Sequence, residues 1–428
     1  KNYDTNKYSA FPDDEGDFMK LFFDEENNEL KNPKLFQTRI LGLVSHFRTQ
    51  DKDLLPTVTK DEVIEVEMSK YQFMKYAEVR KAEIEQDKNK KKKGKPDKRK
   101  KSEDPTKGNL FEDKSSFRAY SRMHCSFVFP DEIKRPLPKG SEDDIDGIVE
   151  VEQPIDEDDD LNEEELDREI KKRQAKAYDD AKIRVLRKFN AERDNYLVAN
   201  EAEKLLKLSP KYNTIINKIN ECPGLAFVYT EYRTLEGIAI FEIILRANGY
   251  APFLLEKNDK NELVQVYEDE SDIGKPMFAF WGGDEERSDI VRKIYNNEFE
   301  ELPSPLKEQI SKNGTRNNLR GDIMKILMTT KSGAEGIDLK NVRQVHIVEP
   351  YWNPVRTKQV KGRAVRVGSH IQLPPKDRTV EIYTYLSKIS DEDLLLDKNI
   401  QADADGKSSD QVLFTIAQKK LAIMEHLL

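Results

Sequence analysis

From about Lys211 onward the chain alternates short apolar runs with amphipathic stretches, and this alternation constrains its fold more than any other feature. GLAFVYT (224–230), PMFAFWGG (276–283), IMKILMTT (323–330), RQVHIVEP (343–350) and TVEIYTYL (379–386) have the length and content of buried strands. Between them lie helical patterns with their own punctuation. TLEGIAIFEIILRANG (234–249) stops at Gly249, DEERSDIVRKIYNN (284–297) opens on Asp284, and NPVRTKQVKGRAVRVG (353–368) opens on Asn353 with Pro354 at its first position. Strands alternating with helices predict βαβ units and a parallel sheet covered on both faces. Residues 207–390 are therefore expected to form one α/β domain.

The upstream half has a different character. EVIEVEMS (62–69) alternates with the period of a half-buried strand, and SKYQFMKYAEVRKAEIEQ then reads as a helix capped by Ser69. ILGLVSHF (40–47) suggests a strand or short buried turn, and AFPDDEGDF (10–18) a loop. A lysine-rich block from Lys88 has nothing apolar to bury and predicts a disordered loop, which could bind nucleic acid through counterion release, carry a nuclear-import signal or simply solubilise the chain. Residues 115–130 read as structured, 141–167 as an acidic, disordered or loosely helical insert, and 168–206 as a charged helix. Residues 69–206 are thus expected to be a helical insert with basic and acidic loops, and 391–428 a C-terminal helical extension. Charged residues make up 36% of the 428, and the net charge of −9 is a sum over segregated blocks. Two cysteines, Cys125 and Cys222, have neither a disulfide framework nor zinc-ligand spacing, which points to a reducing, intracellular compartment and no metal site. No apolar run approaches the ~18 residues needed to span a bilayer. The chain begins at Lys1 and ends in an apolar helical run, AQKKLAIMEHLL, so it is expected to be a fragment.

Two segments carry chemistry. Gln359, Arg363 and Arg366 are spaced i, i+4, i+7 and fall within roughly 60° of one another on a helix, with Gly362 beside them. Two guanidiniums on one face suit phosphate oxygens, and a solvated basic face would show the same spacing. The loop Thr330-Lys-Ser-Gly-Ala-Glu-Gly-Ile-Asp-Leu339 follows a strand, and Gly333 and Gly336 allow close backbone approach. Thr329, Thr330 and Ser332 offer hydroxyls to phosphate, and Asp338 could accept from a sugar hydroxyl. An ordinary strand-to-helix turn would also contain such glycines. Trp352, next to a helix start, reads as a packing residue, His346 as a core histidine, and His370 as a possible phosphate contact. ADGKSSD (404–410) lacks the glycine spacing of a phosphate loop.

TTKSGAEGIDL resembles motif V of superfamily-two helicases, and QVKGRAVR has the QxxGRxxR form of their motif VI. EPYWNPVRTKQVKGRAVRVGS resembles the DxxWNPxxxxQxxxRxxRxGQ signature of Swi/Snf-type remodelers, with Glu349 in place of its Asp and Ser369 in place of its Gln. GLAFVYTEYRTLEGIAIFEIILRANGY resembles motif IV. ILGLVSHF, SSFRAYSRMHCSFVFP and the SDQVLF tail are similar to segments of helicases of large nucleocytoplasmic DNA viruses, related to poxvirus early-transcription-factor and nucleoside-triphosphatase subunits. This resemblance implies a RecA-like C-terminal lobe, with residues 1–68 closing a first lobe or joining the two. It implies that Arg366 is an arginine finger on the γ-phosphate and that Arg363 contacts the same phosphate. Gln359 would couple nucleotide state to lobe closure, and Gly336, Asp338 and Gly362 would lie at the nucleotide and the lobe interface. Ser332, Gly333, Thr330, Tyr229 and Arg233 would face nucleic acid, although Tyr229 could equally be a core aromatic. ATP with Mg2+ would be held mainly by the first lobe, since a phosphate loop and a DExH box do not occur in these 428 residues. The implied partners are DNA or RNA, an N-terminal RecA-like lobe and a viral RNA polymerase, without a membrane. The implied location is the virion or the host cytoplasm or nucleus. Two readings follow: the second half of a helicase or translocase, inactive alone, or a non-catalytic motor-derived lobe that docks nucleic acid or polymerase.

Overall fold

The computed structural model describes residues 9–24, 29–43, 54–93, 118–136, 163–312, 317–334 and 336–427. The expected disordered stretches lie largely outside these residues. Within them, residues 88–93 extend the helix that starts at Lys70 instead of opening a loop.

Seven strands form one sheet: β1 (Thr57–Glu67), β2 (Leu225–Tyr229), β3 (Ala251–Pro252), β4 (Met277–Phe280), β5 (Met324–Thr329), β6 (Val342–Ile347) and β7 (Thr379–Lys388). Their order is β1-β7-β6-β2-β5-β4-β3, and every neighbouring pair is parallel. The helices used below are α1 (Lys70–Lys93), α2 (Ala119–Ser126), α3 (Glu163–Ala191), α4 (Pro210–Glu221), α5 (Ile238–Ala247), α6 (Glu285–Tyr295), α7 (Ser304–Lys312), α8 (Pro354–Ala364) and α9 (Ser409–Leu427). This is a parallel α/β sheet with helices packed on both faces, as the alternation of strands and helices predicts.

Strand periodicity divides the core in two. Ala226, Val228, Ile326 and Met328 face Tyr212 and Ile216 of α4 and Phe241 and Ile244 of α5. Leu225, Phe227, Leu327 and Val345 face Ile290 and Ile294 of α6, Leu306 of α7 and Val360 of α8. Connections running from β1 towards β3 lie on the first face and those returning towards β1 on the second, as expected when all crossovers share one hand. The insert between β1 and β2 is part of this design: Phe127, Phe129 and Phe189 are buried in the first-face core.

Several expectations are corrected. β1 pairs along its length with β7, so the upstream residues 57–67 are the edge of the sheet that otherwise begins beyond residue 207. Ile64 and Val66 pack inward and Met68 is buried, in the alternation the sequence shows. The run at 40–47 does not begin as a buried element: Pro33–Ile40 is a helix, followed by a turn that leaves Leu41 and Leu43 exposed, and residues 44–47 lie outside the described residues. The acidic stretch at 10–18 is not a loop throughout, because the Asp14 carboxylate accepts from Asp17 N and starts a helix over Glu15–Phe22.

The C-terminal helix is locked to the rest by buried polar contacts. Lys211 Nζ lies 2.5 Å from Asp410 Oδ2, with side chains 0% and 1% exposed. Tyr76 and Ser121 hydroxyls meet Ser409 Oγ at 3.1 and 2.8 Å. Beside them Asp403 accepts from Arg80 at 2.8 Å and Arg118 at 3.0 Å. The segment that mimics a phosphate loop in sequence is thus the start of a docked helix. No described helix is long and apolar enough to cross a membrane.

Candidate functional site

Parallel α/β sheets bind ligands outside the carboxyl ends of their strands, where neighbouring connections leave to opposite faces. Here that point lies between β2, whose connection leaves to the first face, and β6, whose connection leaves to the second. Glu349 fills it. One carboxylate oxygen accepts from Ser126 Oγ at 2.9 Å and Thr230 Oγ1 at 3.1 Å, and the other from Glu231 N at 3.0 Å. The residue is 1% exposed, and its burial raises the carboxyl pKa to about 7. The residue that departs from the remodeler signature therefore ties three distant segments together.

Around this point the strand ends bring together part of the expected nucleic-acid set. Tyr229 is buried, and its hydroxyl donates to Glu231 at 2.7 Å. Glu231 also pairs with Arg356 at 2.9 Å, and the Arg356 guanidinium lies over the Tyr351 ring. Tyr229 is thus the core aromatic of the two readings. Arg233 is exposed, with its guanidinium over Phe280. Thr329 Oγ1 donates to Trp281 O at 3.0 Å and so is occupied within the protein.

The loop after β5 makes a one-turn helix at Lys331–Ala334 and then runs back across the sheet. Gly333 is needed for packing: a Cβ there would lie 2.0 Å from Thr329 Oγ1 and 2.6 Å from Trp281 O. Gly336 has open space around it but a φ of +89°, a conformation that suits glycine. Asp338 follows, its backbone carbonyl accepting from Asn296 at the end of α6.

α8 starts as read, with Asn353 capping Val355 N and Pro354 in the first turn. It ends earlier than read, at Ala364. Ser369 Oγ donates to Arg366 O at 2.8 Å and closes a turn that Gly368 continues at φ +77°. Arg366 is therefore outside the helix, and the three-residue face derived from i, i+4, i+7 does not exist. The loop brings Arg366 instead to Asp338, at 3.2 Å. Both side chains are about half exposed, at 55% and 49%. Arg363 remains on α8, half-buried, with an Nε that has no hydrogen-bond partner among the described residues. Gln359 and Gly362 are exposed, while Val360 and Ala364 anchor the helix in the core. Lys361 pairs with Asp61 of β1 at 2.6 Å.

The candidates thus fall into two groups. Tyr229, Arg233, Thr330 and Gly333 lie at the carboxyl ends of the strands. Asp338 and Arg366 lie at the far end of α8, beside Asn341, whose N–H donates to Ser369 O. The 11 residues of α8 separate them by roughly 16 Å. Ser332 belongs to the first group by its place in the loop.

Three further residues are settled by their contacts. His346 is buried, bonded through Nδ1 to Tyr385 Oη at 2.9 Å, and burial lowers its pKa to about 3; it is a core residue. Both nitrogens of His370 are engaged, by Ser369 Oγ at 2.8 Å and Val342 O at 2.7 Å, which leaves no free nitrogen for phosphate. Trp352 packs under Lys420, whose Nζ is 3.9 Å from the ring centroid. Both cysteines are free and buried, and no cluster of metal-ligating side chains occurs among the described residues.

Residues 290–368, from α6 through the loop of Asp338 and Arg366, match the family described as helicase conserved C-terminal domain. That segment is thus similar to a helicase C-terminal domain. A termination factor NPH-I homolog of African swine fever virus (isolate Tick/Malawi/Lil 20-1/1983) is 32% identical over 201 residues, covering 42% of this chain and 26% of that protein. A putative ATP-dependent RNA helicase of Acanthamoeba polyphaga mimivirus is 28% identical over 439 residues, covering 94% of this chain and 48% of that protein. The chain thus spans about a quarter to a half of the length of these relatives. The C-terminal part of the Fun30 ATPase domain aligns with a TM-score of 0.40 and 14% identity, over 87% of this chain and 98% of that one. The matched helicase domain ends at Gly368, so β7 and α9 lie beyond it and β1, α1 and α2 before it.

Sequence reasoning missed the role of Glu349 and the contact of Trp281 with Gly333. A buried carboxylate directly after an apolar strand, as in HIVEP, is the signal for the first. The second has no local signal, because the partners are 52 residues apart in sequence.

Proposed function

We propose that this chain is the second lobe of a nucleic-acid-dependent ATPase, a helicase or translocase, and that it completes an ATP site begun by another RecA-like lobe. The observation that carries this reading is Arg366. It stands on the surface, held by one exposed carboxylate. An exposed pair contributes about 0–1 kcal/mol, so a phosphate could take Asp338's place at little cost. Arg363, with its unpartnered Nε, would support the same phosphate. The exposed Gln359 and Gly362 would meet the other lobe and sense its closure, with Gly336 and Asp338 near the ribose. Magnesium would be held by carboxylates of the first lobe, and ATP with Mg2+ is the proposed substrate.

DNA or RNA would lie across the carboxyl ends of the strands, against Arg233 and the backbone of Thr330 and Ser332. Tyr229 and Gly333 would act there through packing. A viral RNA polymerase is a further proposed partner, in keeping with a relative named as a termination factor. A virion or infected host cell is the corresponding place of action.

The separation of the two groups makes the reading testable in the full-length protein. Arg233→Ala should weaken nucleic-acid binding and reduce its salt dependence while leaving basal ATP hydrolysis intact. Arg363→Ala should do the reverse. Equal loss of both properties in both variants would refute two spatially distinct sites. ATPase unaffected by Arg363→Ala would favour a non-catalytic binding lobe.

A further inference from the structure

The first face of the sheet carries a polar cavity at the amino ends of β6 and β7, on the face opposite the one that carries α8. Its volume is about 250 Å³, and it opens between the start of β7, β6 and the last turn of α4. A sheet face under a helix is normally apolar. Here the charged and amide residues of the lining are Lys60 on β1, Lys218 and Glu221 on α4, Arg343 and Gln344 on β6, and Glu381 on β7.

The cavity is lined by three cations against two carboxylates, Glu221 and Glu381, and it lacks one donor. Lys60 pairs with Glu381 at 2.8 Å, which helps hold that carboxyl ionised at about 2. Lys218 stands over the Tyr383 ring, and its one ion pair among the described residues, with Glu221 of the same lining, is long at 3.6 Å and solvent-exposed. Arg343 is fixed by Thr379 O at 3.0 Å and Thr379 Oγ1 at 2.9 Å, both uncharged acceptors. The carbonyl end of α4, which would repel an anion, is met by Lys325 Nζ, 2.8 Å from Cys222 O. Gln344 is 2% exposed, and its amide donates to Glu381 Oε2 at 3.0 Å. A carboxylate accepts only from the NH2 group, so the atom left without a partner is the carbonyl oxygen, Oε1. A ligand that satisfies this cavity must therefore bring negative oxygens to Arg343 and Lys218 and an N–H or O–H to Gln344.

We propose that this cavity is a binding site for a small hydroxylated phosphate ester, separate from the ATP and nucleic-acid positions. The phosphate lies between Arg343, Lys218 and Lys60, and a hydroxyl of the ester donates to Gln344 Oε1.

Titration of the full-length protein with inorganic phosphate and with ribose 5-phosphate, followed by calorimetry, tests this. Ribose 5-phosphate should saturate one site with a Kd at or below about 1 mM and bind more tightly than inorganic phosphate. Lys218→Gln, a change on the helix surface, and Arg343→Gln should each weaken it at least about tenfold. Gln344→Leu should abolish the advantage of the ester over inorganic phosphate. Arg366→Ala should leave this binding unchanged, which separates it from the ATP site. No saturable binding, or the same affinity in Lys218→Gln as in the natural protein, would overturn the proposal. Loss of binding in Arg366→Ala would also overturn it by locating the ligand elsewhere.

Discussion

Replacing Lys211 with Met tests how the C-terminal helix is held. The side chains of Lys211 and Asp410 are 0% and 1% exposed, and their charged atoms are 2.5 Å apart. At that separation and an effective dielectric of ~20, their attraction is on the order of 6–7 kcal/mol. Desolvation of the two ions offsets much of this, so the pair itself adds little net stability. Removing one partner is different. Asp410 would keep one hydrogen bond, from Ser387 N at 3.0 Å, and lose its counter-charge, while its other oxygen already has no partner among the described residues. An uncompensated buried charge of this kind costs ~3–5 kcal/mol. Lys211→Met should therefore lower the unfolding free energy measured by urea titration by that amount, with the midpoint falling in proportion. Lys211→Met combined with Asp410→Asn should recover more than half of the loss, because the asparagine oxygen still accepts from Ser387. A single-variant loss below about 1 kcal/mol, or a double variant no better than the single, would refute the buried-charge reasoning.

Two further outcomes follow from the site. Glu349 has a folded pKa of about 7 against an ordinary 4.5, so its contribution to stability is complete below pH 4.5 and is lost as pH rises through 7; Glu349→Gln should flatten unfolding free energy across that window, and an unchanged slope would place the titration on another group. Gly333→Ala forces a methyl against Trp281 O and Thr329 Oγ1 and should cost ~1–3 kcal/mol by thermal unfolding, with faster amide exchange at 330–334; no loss would mean that the turn has room the contacts deny.

Five of the six sheet strands from residue 224 onward are legible because they are buried on both faces and read as continuous apolar runs between capped helices, whereas the two-residue edge strand Ala251–Pro252 is too short to show as a run. Leu225–Tyr229 and Met324–Thr329 fall within one or two residues of where the runs place them. β1 is different. It is an edge strand with most residues exposed, and its partner β7 lies more than 300 residues away, so its alternation shows a strand without showing which sheet it joins. The motif arginines are legible as residue types, but their geometry is not. A helical period carried to Arg366 ignores the Ser369 and Gly368 turn that ends the helix at Ala364, and this turn is what delivers Arg366 to Asp338. His370 is not free for a phosphate because Ser369 Oγ next to it and Val342 O, 28 residues away and invisible in a linear pattern, already use both nitrogens.

The central claim rests on Arg366 completing an ATP site. Its most direct measurement is kcat for nucleic-acid-stimulated ATP hydrolysis by the full-length Arg366→Ala protein, with nucleic-acid affinity measured on the same preparation. A fall of ~10³–10⁵ with binding largely intact is expected for a finger that meets the γ-phosphate in the transition state. Hydrolysis within about tenfold of the natural protein would contradict the account.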